Sequence, residues 1–152
     1  MIVVVPEAEA SVGQIRLQHV ASAAQGVPAH VTLLSPFADA EDVDEQALSD
    51  LFAAVPAFDF VLDRVEHWED GIVWLHPEPS RPFEDLTLAI CQRWPDYPPY
   101  GGTVTTIIPH LTLSERPIQV ELDLPIRSRA EAVSLIEEEE GNWSTRRLFA
   151  LA

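Results

Sequence analysis

Cysteine, basic residues and long apolar runs are all scarce in this 152-residue chain. The single cysteine, Cys91, excludes an intrachain disulfide, a CxxC motif and a cysteine-based zinc site, which fits a reducing compartment. Nine basic residues stand against 25 acidic ones, for a net charge of −16. A protein that coats long nucleic acid by counterion release needs a basic face, so that class, DNA binding included, is disfavoured. A small anion held in a local pocket remains compatible with this charge. No apolar run approaches the ~20 residues that cross a bilayer, and the first six residues lack a basic signal-peptide start. The expectation is a cytoplasmic protein, monomeric and off the membrane.

What is present is globular. The composition is 47% hydrophobic and 22% charged, and the length suits one domain over residues 1–152 with a core of its own. Ile2 to Val5 reads as a buried strand stopped by Pro6. Val12, Ile15, Val20 and Ala23 recur at helical spacing and Gly26 ends that helix. Ala29 to Ser35 is a second strand. The acidic stretch Asp39 to Glu45 suits a helix's first turn, and Val43 to Val55 carries that helix's apolar face. Phe58 to Leu62 alternates as a strand, Asp70-Gly71 marks a turn, and Ile72 to His76 returns as the hairpin partner. Phe83 to Trp94 is a helix and Pro95 to Gly102 a loop. Val104 to Leu113 is β-rich. Arg127 to Glu137 and Thr145 to Leu151 form a closing strand pair around Gly141-Asn142. Helices alternating with hairpins define an α+β class with mostly antiparallel sheet. Glu137 to Glu140 reads as a solvated strand end.

One four-residue pattern occurs twice. It is His30-Val31-Thr32-Leu33 and, 80 residues later, His110-Leu111-Thr112-Leu113, each closely preceded by a proline. Side chains alternate across a strand, so His30 and Thr32 share one face and Val31 and Leu33 the other, and likewise in the second copy. With the apolar pairs in the core, both His/Thr pairs face a groove. If each half of the chain builds a similar lobe, two imidazoles and two hydroxyls converge across a pseudo-twofold axis. Histidine titrates near neutrality, so one imidazole can act as base while the other, protonated, acts as acid. Threonine hydroxyls can donate to the non-bridging oxygens of a phosphate. Such a site performs in-line phosphodiester transfer without a metal or other cofactor.

The chain resembles the 2H phosphoesterase superfamily, especially bacterial proteins similar to 2′-5′ RNA ligases and cyclic phosphodiesterases. The resemblance rests on both HxTx motifs, the Ser35-Pro36-Phe37 exit, and Pro98-Pro99-Tyr100-Gly101-Gly102 before the second motif. It extends to Leu124-Pro125 and the Gly141 to Trp143 tail, and so covers nearly the whole chain. It implies a bilobal fold, with two pseudo-twofold lobes of mostly antiparallel sheet around a central cleft. It implies chemistry on 2′,3′-cyclic phosphates or 2′-5′ linkages of a small nucleotide or RNA end. By analogy His110 is the base that activates water, His30 the acid for the leaving 3′-oxygen, and Thr32 and Thr112 bind the phosphate.

Two departures stand out. Some relatives place a basic residue soon after the second motif, whereas here Ser114-Glu115 precede Arg116. The stretch from Arg116 to Asp123 alternates like an extended segment where relatives often have a helix. Arg116 is a candidate phosphate contact and Tyr100 a candidate base-stacking residue. Trp68 is a candidate lid or an exposed hairpin aromatic. Phe37 reads as core, and His19, His67 and His76 as structural or exposed. Arg64 and Arg81 are candidate sources of positive charge near the cleft. Two other functions fit less well. One is a non-catalytic nucleotide or RNA-end binding module on the same fold. The other is a metal site, for which the motifs supply only two firm ligands, fewer than catalytic zinc uses.

Overall fold

Short β-branched runs need partner strands for their backbone groups, and here they find them in two separate sheets. The computed structural model describes residues 1–103 and 106–152. In chain order the elements are β1 (Ile2–Val4), α1 (Glu9–His19), α2 (Ala21–Ala24), β2 (His30–Thr32), α3 (Glu45–Ala53) and β3 (Phe58–His67). They continue with β4 (Val73–Glu78), α4 (Arg81–Arg93), β5 (Leu111–Ser114), β6 (Ile126–Ala130), β7 (Ala132–Glu139) and β8 (Asn142–Ala150). One sheet has the order β2-β1-β7-β8 and the other β5-β4-β3-β6. The pairings are antiparallel. Each lobe is thus a four-stranded sheet with a motif strand at one edge, and β2 and β5 pack against each other where the lobes meet. This is the two-lobed α+β architecture that the repeat implied.

The core forms between the sheets and the helices. Val3, Val31, Val133, Leu135 and Phe149 enter from one sheet, and Phe60, Leu62, Leu75, Leu111 and Leu113 from the other. Leu48 and Phe52 join from α3, and Phe83, Leu86 and Ile90 from α4. Phe83 meets Phe58 and Phe60 edge-on, each at 5.0 Å. Each such side chain contributes about 1.5–3 kcal/mol on burial.

Several boundaries differ from expectation. The helix expected over Val12 to Ala23 breaks at Val20, whose backbone is extended (φ −128°, ψ 117°) while its side chain is buried. Only the end of the acidic stretch joins that helix: Ala40–Asp42 is a separate 3-10 turn, Asp44 caps α3 by accepting from the Ala47 N–H at 2.9 Å, and Glu45 stands in its first turn. The strand expected from Arg127 to Glu137 is two strands in different sheets. Ile126, Ser128 and Ala130 point inward, then Val133 and Leu135 do; the parity switches at Glu131, where the chain crosses between lobes. The closing turn falls on Glu140 and Gly141, both at positive φ, one residue earlier than expected.

Of the strand expected from Val104 to Leu113, positions 104–105 lie outside the described residues, and the ladder begins only at Leu111. Pro109 has no N–H to donate to a ladder just before it. The stretch after Arg116 does alternate: Ile118, Val120, Leu122 and Leu124 pack on the core while Gln119, Glu121 and Asp123 face out, yet it forms no strand.

Candidate active site

Strand alternation places the motif residues as their pattern implied. Val31, Leu33, Leu111 and Leu113 are buried, and His30, Thr32, His110 and Thr112 lie half-buried on the opposite face. In both motifs the imidazole Nδ1 is 2.7 Å from a carbonyl oxygen two residues back, Pro28 for His30 and Ile108 for His110. A carbonyl only accepts, so Nδ1 carries the proton and Nε2 is left free to exchange one. The same local geometry therefore recurs in both lobes, down to the tautomer.

The electrostatics are less symmetric. Burial pushes the His30 pKa down from 6.5 to about 4. The Pro28 carbonyl opposes this shift, while the charges of Arg16, the N-terminal amino group and His110 deepen it. Burial also lowers His110, partly offset by the Ile108 carbonyl. The two motif strands β2 and β5 pack against each other, which brings the His110 ring within electrostatic reach of His30. Both lean toward the neutral form in the free site.

A cleft of about 500 Å³ opens beside the first lobe, lined by His30 and Thr32 with Phe37, Asp39, Glu137 and Trp143 among others. That size suits a nucleotide. His110 and Thr112 do not line it; they belong to the second lobe's wall, which is aromatic. The Trp68 ring lies 4.6 Å from His110 at 73°, and Trp74 lies 5.9 Å away at 68°. Trp74 stands opposite Thr112 in the β4–β5 ladder, and its buried indole N–H has no hydrogen-bond partner among the described residues. Trp68, weighed as a lid or an exposed aromatic, is instead half-buried against His110. His76 follows Trp74 on the same face of β4, its ring 6.3 Å away and its Nδ1 3.0 Å from Asp63 Oδ1.

Other candidates lie apart. Arg116 is tied to α1, with its Nε and Nη2 at 3.1 and 3.0 Å from His19 Nδ1. Tyr100 has positive φ (52°) and burial pushes its phenol up; among the described residues its ring packs on neither imidazole. Arg64 pairs with Asp63 and Glu66, and Arg81 with Glu84 and Asp85. Phe37 packs on Trp94 and Tyr97, as a core residue would. Sequence reasoning missed Arg16 and the role of Trp74. Arg16 was findable: it follows Val12 by four residues, a charge on the helix's apolar stripe.

Among the described residues no group of three or more His, Cys, Asp or Glu converges to hold a metal. No described helix is long and apolar enough to cross a membrane.

Two antiparallel lobes with a His-x-Thr strand on each inner edge define a protein of the 2H phosphoesterase type. The chain belongs to the 2′-5′ RNA ligase superfamily, whose family model matches residues 4–144. No curated protein sequence matches it. Among solved structures it is similar to E. coli LigT complexed with NADP+ (TM-score 0.68, 21% identity, 99% of this chain and 94% of that one). It is also similar to E. coli LigT complexed with 3′-AMP (TM-score 0.66, 20% identity, 99% and 95%). A structure described only as a phosphoesterase matches with TM-score 0.62 and 20% identity over 99% and 95%. At these identities the likeness shows the fold.

Proposed function

We propose that the protein is a metal-independent phosphoesterase that acts on 2′,3′-cyclic phosphates or 2′-5′ linkages of small nucleotides or RNA ends. The observation that carries this reading is the twice-repeated Nδ1–carbonyl bond, which presents one free Nε2 from each lobe. In the step we propose, His110 Nε2 takes a proton from water as the water oxygen bonds to phosphorus. The bond to the 3′-oxygen breaks, and His30 gives that oxygen a proton, leaving a 2′-phosphate. Thr32 and Thr112 donate to the non-bridging oxygens. A bound phosphate anion favours the imidazolium and so supplies the protonated partner that the free site lacks. The stronger downward shift of His30 makes it the stronger acid once protonated, which supports this assignment. LigT crystallised with 3′-AMP and with NADP+ supports a small nucleotide as the partner.

The test is hydrolysis, with chelator present, of the four 2′,3′-cyclic mononucleotides, ADP-ribose cyclic phosphate and a 2′-5′ dinucleotide. His30→Ala or His110→Ala should each cost about 10²–10⁴-fold in turnover. The double variant should lose little more, because the two groups serve one displacement. Thr32→Val or Thr112→Val should cost about tenfold, one hydrogen bond to an anion. The rate should be bell-shaped in pH. Turnover like wild type in either histidine variant would sink the mechanism. Nucleotide binding without turnover on any substrate would favour the binding-module reading.

A further inference from the structure

All nine basic residues are arginines, and eight of them are exposed. Arg16 keeps only 2% of its surface. Burying a guanidinium costs several kcal/mol unless its protons find acceptors and its charge a partner. Burial lowers its pKa, and the charge of Glu9 on the same helix opposes that shift. Its hydrogen bonds go to two main-chain carbonyls: Nε donates to Thr112 O at 3.1 Å, and Nη1 to Val27 O at 3.3 Å. Thr112 is in the second motif, and Val27 lies three residues before His30. Glu9 completes the grip by accepting from the Ala29 N–H, next to His30. The helix α1 therefore holds the approach to one motif and the strand of the other through two side chains, Glu9 and Arg16.

We infer that Arg16 is a positioning residue of the phosphate site, which sets the separation of the two motif strands and places a fixed positive charge beneath the phosphate diester anion. The inference rests on the function proposed above and adds a residue to it. The molecule's charge of −16 opposes an incoming anion. Water and salt screen the exposed arginines but act weakly on a buried one, so Arg16 can reverse the local potential. Its charge is also among those that depress His30. The other charges facing His30 are the N-terminal amino group and His110, with Asp39, Glu137, Glu138, Glu139 and Arg146 around the same cleft.

The experiment uses the full chain with Arg16→Met, Arg16→Lys and Glu9→Gln, and reads two quantities by NMR: the His30 titration midpoint and the affinity for inorganic phosphate. Arg16→Met should raise the midpoint toward 6.5 and weaken phosphate binding roughly tenfold, the size of a ~1.4 kcal/mol electrostatic contribution. Arg16→Lys should keep the midpoint low and lose turnover, because it retains the charge but not the two-carbonyl fork. Glu9→Gln should tighten phosphate binding, since it removes the charge that offsets Arg16. A folded Arg16→Met with unchanged midpoint and phosphate affinity overturns the inference. If that variant does not fold, unchanged phosphate affinity in Glu9→Gln does so. Both readouts are independent of turnover, so a wild type that hydrolyses no cyclic phosphate would defeat the proposed function and leave this result standing.

Discussion

His30 links the site's chemistry to the stability of the fold. Its pKa is about 4 in the folded chain against an ordinary 6.5. Between those values the unfolded chain binds more protons. This contribution is therefore fully present above pH 6.5 and is lost as pH falls toward 4. Its size is up to about 3 kcal/mol. Urea unfolding across pH 7.5 to 4 should show the loss, and His30→Asn should flatten the slope; parallel slopes would mean that His30 is not the group responsible. A second expectation concerns Trp68, whose ring helps bury His110. Burial is the main cause of the lowered His110 pKa. Trp68→Ala should thus raise the His110 midpoint in an NMR titration while leaving His30 nearly unmoved.

The β3–β4 hairpin does more than pair two strands. Its turn carries Trp68 and is closed by Gly71, whose N–H donates to Trp68 O at 2.9 Å. Gly71 has φ +92°, and an added Cβ would lie 2.6 Å from Pro117 Cγ. The turn is thereby seated on the segment that leaves the second motif. Gly101 also has positive φ (+63°), but among the described residues a Cβ there meets nothing within 4 Å. Alanine at either position should cost about 1–2 kcal/mol for the left-handed backbone. At Gly71 overpacking should add ~1–3 kcal/mol. Equal destabilisation of the two variants in urea unfolding would show that the Pro117 contact gives way freely.

At the scale of the whole molecule, charge is the dominant feature. A net −16 spread over one small protein repels itself. Raising salt from about 0.01 M to 0.15 M shortens the screening length from ~30 to ~8 Å. The thermal midpoint should rise over that interval, by roughly 3 °C for each kcal/mol of repulsion relieved. A falling midpoint would mean that ion pairs such as Arg146 with Glu45 and Glu137 outweigh the repulsion. The same acidity opposes long nucleic acid, since a long RNA would meet the repulsive surface beyond the cleft.

The alternation that sends Val31, Leu33, Leu111 and Leu113 inward was legible because it depends only on neighbours in the chain. So was the repeat, which carried the two-lobed fold with it. The sequence determined which residue types each lobe presents, and the Nδ1 bonds complete that local device within two residues of each histidine. The crossing at Glu131 was not legible, because the sheet a strand joins depends on which distant edge is free. Nor was the burial of Arg16, which needs carbonyls from positions 27 and 112 to arrive together. The downward shifts of both histidines likewise came only with tertiary structure. Desolvation and long-range charge are properties of what is packed around a group, and a linear sequence does not state them.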